Sequence, residues 1–181
     1  MPSIYFFGGE PMLCYQSIIV PLVKYCEEKY PNDHFAFGMT TNGTLLSEKA
    51  IDFFKEKDFS LLLSIDGAEQ TQDYNRPCKN NQNSSFKLIE KNIPYLLQKF
   101  PNICFRSTIY APTANLLFEN YLYAESLGFK SYAMIEDARH SWNEEQKEIL
   151  KNEFSKIYLH RIDQIINNIE PMGIVKINEW L

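Results

Sequence analysis

The sequence predicts an α/β fold built around a parallel sheet, and three observations carry that expectation. Short apolar runs alternate with longer amphipathic ones along the whole chain. Gly, Pro and Asn stand where the period changes, and small polar residues with glycine recur just after the apolar runs. The 181 residues, 45% hydrophobic and 23% charged, suit one domain over 1–181 that is large enough for a substantial core. No linker, low-complexity stretch or break in composition divides them.

Taken in order, Ile4-Tyr5-Phe6-Phe7 reads as a buried strand ended by Gly8-Gly9. Residues 13–30 carry Ile18, Ile19, Leu22, Val23 and Cys26 at helical spacing, and Pro31-Asn32-Asp33 stops them. A strand follows over 35–39, then a helix over 47–56 capped by Ser47, then a second apolar strand over 59–65. Residues 66–85 form a long polar loop of the kind that carries function. The alternation resumes with a helix over 86–100, in which Pro94 removes a backbone donor and predicts a kink or a delayed start. A strand over 103–110, a helix over 116–127 stopped by Gly128 and a strand over 132–135 come next. Residues 143–168 read as one long helix, which Pro171-Met172-Gly173 lead out of into a tail over 169–181.

About five strands joined by helices imply right-handed crossovers, and two architectures satisfy them: a doubly wound open sheet, or an arc of a (β/α) barrel. Both place ligands at the carboxyl ends of the strands. A first strand this close to Met1 leaves an open sheet edge, for which the C-terminal segment is the available cover.

Eighteen Lys and Arg against twenty-three Asp and Glu give a net charge of -5 with no basic block, which argues against nucleic acid as a partner. Cys14, Cys26, Cys78 and Cys104 have none of the two- or three-residue gaps that bring thiolates together on zinc or an iron-sulfur cluster. They read as reduced thiols packed as small apolar groups. No apolar run approaches the roughly 20 residues that span a bilayer. The N-terminus lacks the basic start and apolar stretch of a secretory signal, so a cytoplasmic protein without a membrane partner is expected.

The chemistry-bearing residues fall after the strands. Gly8-Gly9-Glu10-Pro11 lies between a strand and a helix, where glycine admits a ligand close to the backbone and Glu10 offers a carboxylate to an ammonium group. A turn with a glutamate at the helix start explains the same residues. Thr40-Thr41-Asn42-Gly43 and Ser64-Ile65-Asp66-Gly67 repeat that grammar, each also explained singly as an Asx turn. Together they put polar groups on one rim. Glu136, Asp137, Arg139 and His140 cluster after the last strand, where Glu136 and Asp137 are candidate acids or bases, or simply the acidic start of a helix. His34 and His160 are unremarkable.

Residues 4–13 (Ile4-Tyr5-Phe6-Phe7-Gly8-Gly9-Glu10-Pro11-Met12-Leu13), Thr40-Thr41-Asn42-Gly43-Thr44-Leu45-Leu46, Leu63-Ser64-Ile65-Asp66-Gly67 with Arg76-Pro77, and Arg106-Ser107-Thr108-Ile109 together resemble the radical S-adenosylmethionine superfamily. The branch they look most like is that of anaerobic sulfatase maturases and related peptide-modifying enzymes. The resemblance runs over 4–135 and implies a partial parallel (β/α) barrel. It further implies S-adenosylmethionine bound by Gly8, Gly9 and Glu10 at its amino group, with Ser64 and Arg76 as further contacts. A 4Fe-4S cluster would split the cofactor to a 5'-deoxyadenosyl radical acting on a peptide or protein substrate.

The family's three-cysteine cluster loop precedes the Gly-Gly-Glu-Pro strand and is absent here, as is the cysteine-rich C-terminal domain. Ile109-Tyr110-Ala111-Pro112 also lacks the family's glycine near the fifth strand. The expectation is a core of such an enzyme that is inactive by itself, with no metal ligands of its own; Glu179-Trp180-Leu181 looks like a chain that continues. The alternative is a clusterless (β/α) domain that binds a peptide or protein partner without catalysis.

Overall fold

The structure is a computed structural model that describes residues 1–79, 83–139 and 141–176. Its sheet has six strands: β1 (Ser3–Phe6), β2 (Ala36–Thr41), β3 (Ser60–Ser64), β4 (Phe105–Ile109), β5 (Ser131–Glu136) and β6 (Gly173–Lys176). They lie side by side in chain order, every neighbouring pair parallel. A doubly wound sheet reverses its strand order at one point; this one never does. With right-handed crossovers, unbroken sequential order stacks the connecting helices on one face, which is the winding of a (β/α) barrel left open between β1 and β6.

The register fixes which side chains lie under the helices. Phe6, Met39 and Leu61 are partners across β1, β2 and β3, as are Leu63, Phe105 and Tyr132 across β3, β4 and β5. This face is the core. Phe59 stacks on Phe37 at 5.3 Å and meets Phe54 at 4.9 Å, and Phe105 stacks on Tyr132 at 4.9 Å. Because side chains alternate along a strand, Tyr5, Thr40, Leu62 and Ser64 occupy the other face. Tyr5 donates or accepts a 2.8 Å hydrogen bond with Thr40 there, and it is 54% exposed. The strand expected to be buried over 4–7 is therefore a half-exposed edge strand, with Ile4 and Phe6 inward and Tyr5 and Phe7 in solvent.

Further expectations change. The strand count rises from about five to six, because the tail after Pro171 turns back onto the sheet. Met172 is buried, its carbonyl accepts the Tyr121 hydroxyl, and the Gly173 amide donates to Lys130. Four residues with only Ile174 and Val175 apolar carry too little pattern to reveal that strand. β6 lies at the opposite edge from β1, so among the described residues the C-terminal segment does not cover the first strand. The helix expected over 13–30 begins as a 3-10 turn (Pro11–Cys14) and a π turn (Tyr15–Ile19) before α1 (Val20–Lys29). The loop expected over 66–85 contains a helix, described below.

The other helices follow their local signals. Ser47 accepts from the Ala50 amide at the start of α2 (Glu48–Glu56). In the loop, α3 (Glu69–Asn75) has almost no apolar residue, and its buried side chains are Thr71 and Gln72. The helix expected over 86–100 is two, α4 (Ser85–Glu90) and α5 (Ile93–Lys99), with Pro94 in the first turn of the second, where its missing donor costs nothing. After a 3-10 turn over Ala111–Leu116 comes α6 (Leu117–Ser126). α7 (Glu144–Ile166) opens with a capping box between Asn143 and Gln146. Buried Glu153 of α7 accepts from the Phe118 amide at the start of α6, a carboxylate at the positive end of a helix. No helix among the described residues is long and apolar enough to cross a membrane.

Phe54 has no exposed surface and meets Tyr15, Phe53 and Phe59. Phe54→Ala should lower the unfolding free energy by about 3–5 kcal/mol, the cost of deleting a buried aromatic ring, read as a shift in urea midpoint at unchanged slope.

Candidate functional site

At the end of β1, Gly8 and Gly9 take φ of +95° and +52°. No atom lies within 4 Å of where their Cβ atoms would be, so glycine is required by backbone conformation and not by crowding. The turn delivers Glu10 to the end of β2. One Glu10 oxygen accepts from the Met12 amide (3.1 Å) and the Thr41 hydroxyl (2.7 Å), and the other from the Asn42 amide (2.7 Å). Glu10 thus caps the turn that follows it and clamps the rims of two strands together. A carboxylate has about four acceptor sites, and three donors leave one for a further cation. Beside it, Asn42 closes an Asx turn by accepting from the amide and hydroxyl of Thr44.

The end of β3 is organised by Asp66, whose side chain has no exposed surface. Its two oxygens accept from Nε and Nη2 of Arg76, both at 2.9 Å, and one also accepts from the Thr108 amide at 3.0 Å. The Asp66 amide donates to Gln72, and its carbonyl accepts from the Ser107 hydroxyl. One residue therefore ties β3, α3 and β4 together. Next to it, a Cβ on Gly67 would overlap the amide of Asn120, which accepts from the Ala68 amide and donates to Thr71. Ser64 is almost buried, and its hydroxyl has no protein partner among the described residues.

At the end of β5, Asp137 is 5% exposed and accepts from Nε of Arg139 at 2.8 Å. That hydrogen bond is the main cause holding the Arg139 guanidinium above its ordinary basicity. Arg139 also donates to the Tyr110 hydroxyl (2.7 Å), and the Trp142 indole donates to the Asp137 carbonyl (3.0 Å). Tyr110, Asp137, Trp142 and their neighbours line a cleft of about 270 Å³. His140 lies outside the described residues.

The predicted residues do converge on one rim, but not as one cluster. Gly8, Gly9, Glu10 and Ser64 stand at the ends of β1 and β3, on either side of the Thr41-Asn42 turn. Arg76, from the end of α3, is folded onto Asp66 with about a third of its side chain exposed. Glu136 and Asp137 are two strands beyond Ser64. Sequence reasoning missed Gln72 and Asn120, whose contacts span turns and helices that no local pattern links. In the sequence Arg106 stands out only as part of the Arg106-Ser107-Thr108-Ile109 motif. No group of three His, Cys, Asp or Glu residues among the described ones is placed to hold a metal ion. The four cysteines are unpaired, one buried and three half-buried. The residues present do not fit a 4Fe-4S cluster.

The Asp66 knot makes a direct expectation. Asp66→Asn should destabilise the fold by about 3 kcal/mol or more, because removing one partner leaves the other charge poorly compensated. Arg76→Lys, which keeps the charge and loses the fork, should cost less. Chemical denaturation of the three proteins measures the order.

A family model described as a 4Fe-4S single cluster domain matches residues 1–89. An uncharacterized protein of Methanocaldococcus jannaschii is 36% identical over 131 residues, covering 71% of this chain and 44% of that protein. A cysteine-type anaerobic sulfatase-maturating enzyme of Clostridium novyi is 35% identical over 95 residues, 50% of this chain and 24% of the enzyme. The native anSMEcpe structure with bound AdoMet superposes with a TM-score of 0.77 at 22% identity, over 95% of this chain and 49% of that one. The chain thus spans about half the length, or less, of the proteins it matches. In sequence the chain is similar to anaerobic sulfatase-maturating enzymes over part of their length, and in fold it is similar to the AdoMet-bound anSMEcpe structure.

Proposed function

We propose that these residues form the S-adenosylmethionine-binding core of a radical enzyme that modifies a side chain of a peptide or protein. The observation that carries the reading is the rim itself: a left-handed Gly8-Gly9 turn and a Glu10 carboxylate with one acceptor site to spare at the end of β1, and at the end of β3 a Ser64 hydroxyl with no partner among the described residues. Glu10 takes the cofactor's ammonium group, the Gly8-Gly9 backbone lets it approach, and Ser64 and the exposed edge of Arg76 supply further polar contacts. In support, anSMEcpe has been solved with AdoMet and with a Cp18Cys peptide, and a Clostridium novyi relative is a sulfatase-maturating enzyme. Four unpaired cysteines agree with a cytoplasmic setting.

The chain's own part in the reaction is to bind and orient; the cofactor and its cluster carry the hard chemistry. Glu136 and Asp137 stand at the β5 rim, where a substrate group on the open face would meet them, and Asp137 is already committed to Arg139. The missing thiolates favour one second reading, a non-catalytic domain that binds a peptide or partner protein on the same face.

Without a cluster to hold the methionyl group, affinity for S-adenosylmethionine rests on exposed charged contacts of about 0–1 kcal/mol each. Binding should then be millimolar, about 4 kcal/mol. Ligand-observed NMR on the 181-residue chain should detect it, and Glu10→Ala should abolish it. Micromolar binding indifferent to that substitution would put the cofactor elsewhere. Anaerobic reconstitution with iron and sulfide should give a colourless protein, and visible iron-sulfur absorbance would overturn the ligand argument.

A further inference from the structure

The outer side of α7 presents an apolar surface that the fold does not use. The helix is buried along one stripe, on which Glu153 and Ile157 lie and from which His160 and Gln164 reach Glu125 of α6. At about 3.6 residues per turn, Tyr158, Leu159, Ile162, Ile165 and Ile166 fall on the side away from that stripe, and Ile169 follows just past the last turn. These side chains are between 43% and 72% exposed. Apolar residues scattered singly over a surface need no explanation, whereas a contiguous patch marks a contact. The first half of α7 is different: there Lys147 pairs with Glu144 and Lys151 with Glu148, so the apolar character is confined to the second half.

Charge is laid out around the patch in a particular way. Ile162 stands at its centre, and the adjoining Arg161 and Asp163 lie about 100° to either side of it. Arg161 is half-buried, and its Nε has no hydrogen-bond partner. Neither side chain forms an ion pair with a described residue. One flank of the patch therefore carries an unpaired cation and the other an unpaired anion.

We infer that this side of α7 is an interface between two copies of the chain, with the two helices running in the same direction about a two-fold axis parallel to them. A two-fold operation sets the patch against itself, so a flat aliphatic surface meets an equal one and no groove is needed. With the axis along the helices, Arg161 of one copy lies on the same flank as Asp163 of the other, about 3 Å away along the axis, and the pair occurs twice. With the axis across the helices, Arg161 would lie beside Arg161 and Asp163 beside Asp163. Charge thus selects the first arrangement. The surface points away from the sheet, and the ligand rim opens on the other face, so the inference stands apart from the proposed function.

Sedimentation velocity on the 181-residue chain, from micromolar to about millimolar, should show a monomer–dimer equilibrium. A single helix pair lies at the small end of interface sizes, so the dissociation constant should be micromolar rather than nanomolar. Ile162→Glu and Ile166→Glu, both at exposed positions, should each raise it about tenfold or more and leave the thermal melt unchanged. Asp163→Lys, also exposed, should weaken the dimer by placing two cations on each shared flank, and adding Arg161→Glu to it should restore association.

A chain that stays monomeric throughout overturns the interface, and a dimer indifferent to both isoleucine substitutions puts it on another surface. A dimer lost in Ile162→Glu but indifferent to Asp163→Lys overturns the parallel arrangement, as does a folded double charge variant that remains monomeric. Co-sedimentation of the monomer with phosphatidylcholine–phosphatidylserine vesicles, abolished by Ile162→Glu, would make the patch a lipid contact and overturn the second copy as its occupant.

Discussion

The rim of this sheet depends on the buried carboxylate of Asp66. A charge with no exposed surface is tolerated only when it is paired and hydrogen-bonded, and Asp66 meets that condition by drawing donors from α3's end, in Arg76, and from β4, in the Thr108 amide. The consequence is architectural. Between β3 and β4 the chain runs through a polar stretch with no apolar stripe to dock it, and α3 is held against the sheet by Gln72, Thr71 and Arg76, not by burial of hydrophobic area. Gly67 permits the close approach of Asn120 that completes the same network.

Glu10 performs a related task two strands away, with a different balance. Its three donors come from its own turn and from the end of β2, but the carboxylate remains partly accessible, so structure does not exhaust its capacity. This division explains how one rim is both rigid and receptive. The deeply buried acid fixes the backbone, the shallower one keeps an acceptor free, and the side chains of Ser64 and Arg106 have no hydrogen bond or ion pair to any described residue.

The unequal faces of the sheet give the rim its context. One face is packed with aromatic and aliphatic side chains under helices, and that burial stabilises the arc. The other is lined by short, polar or small residues such as Thr40, Ser64 and Ala133, with Tyr5 and Phe7 exposed at its edge. Parallel sheets normally have both faces covered, so an uncovered face of this composition is where a cofactor, a peptide or more polypeptide belongs.

Local pattern in the sequence determined most of the elements: apolar runs set five strands, Ser47 and Asn143 set helix starts, and Pro94 set where a helix could begin but not continue. The glycine turns after the strands also announced the rim, because positive φ and small polar residues are local requirements. Tertiary structure decided the rest. α3 and β6 are too short and too weakly patterned to be legible, since one is held by polar contacts across the rim and the other by pairing with β5. The choice between a doubly wound sheet and a barrel arc lay in strand order, which no single segment encodes. Which arginine is paired was equally hidden: Arg76 and Arg106 look alike in sequence, and only the fold brings a buried aspartate to Arg76 and leaves Arg106 half-buried without an ion pair among the described residues.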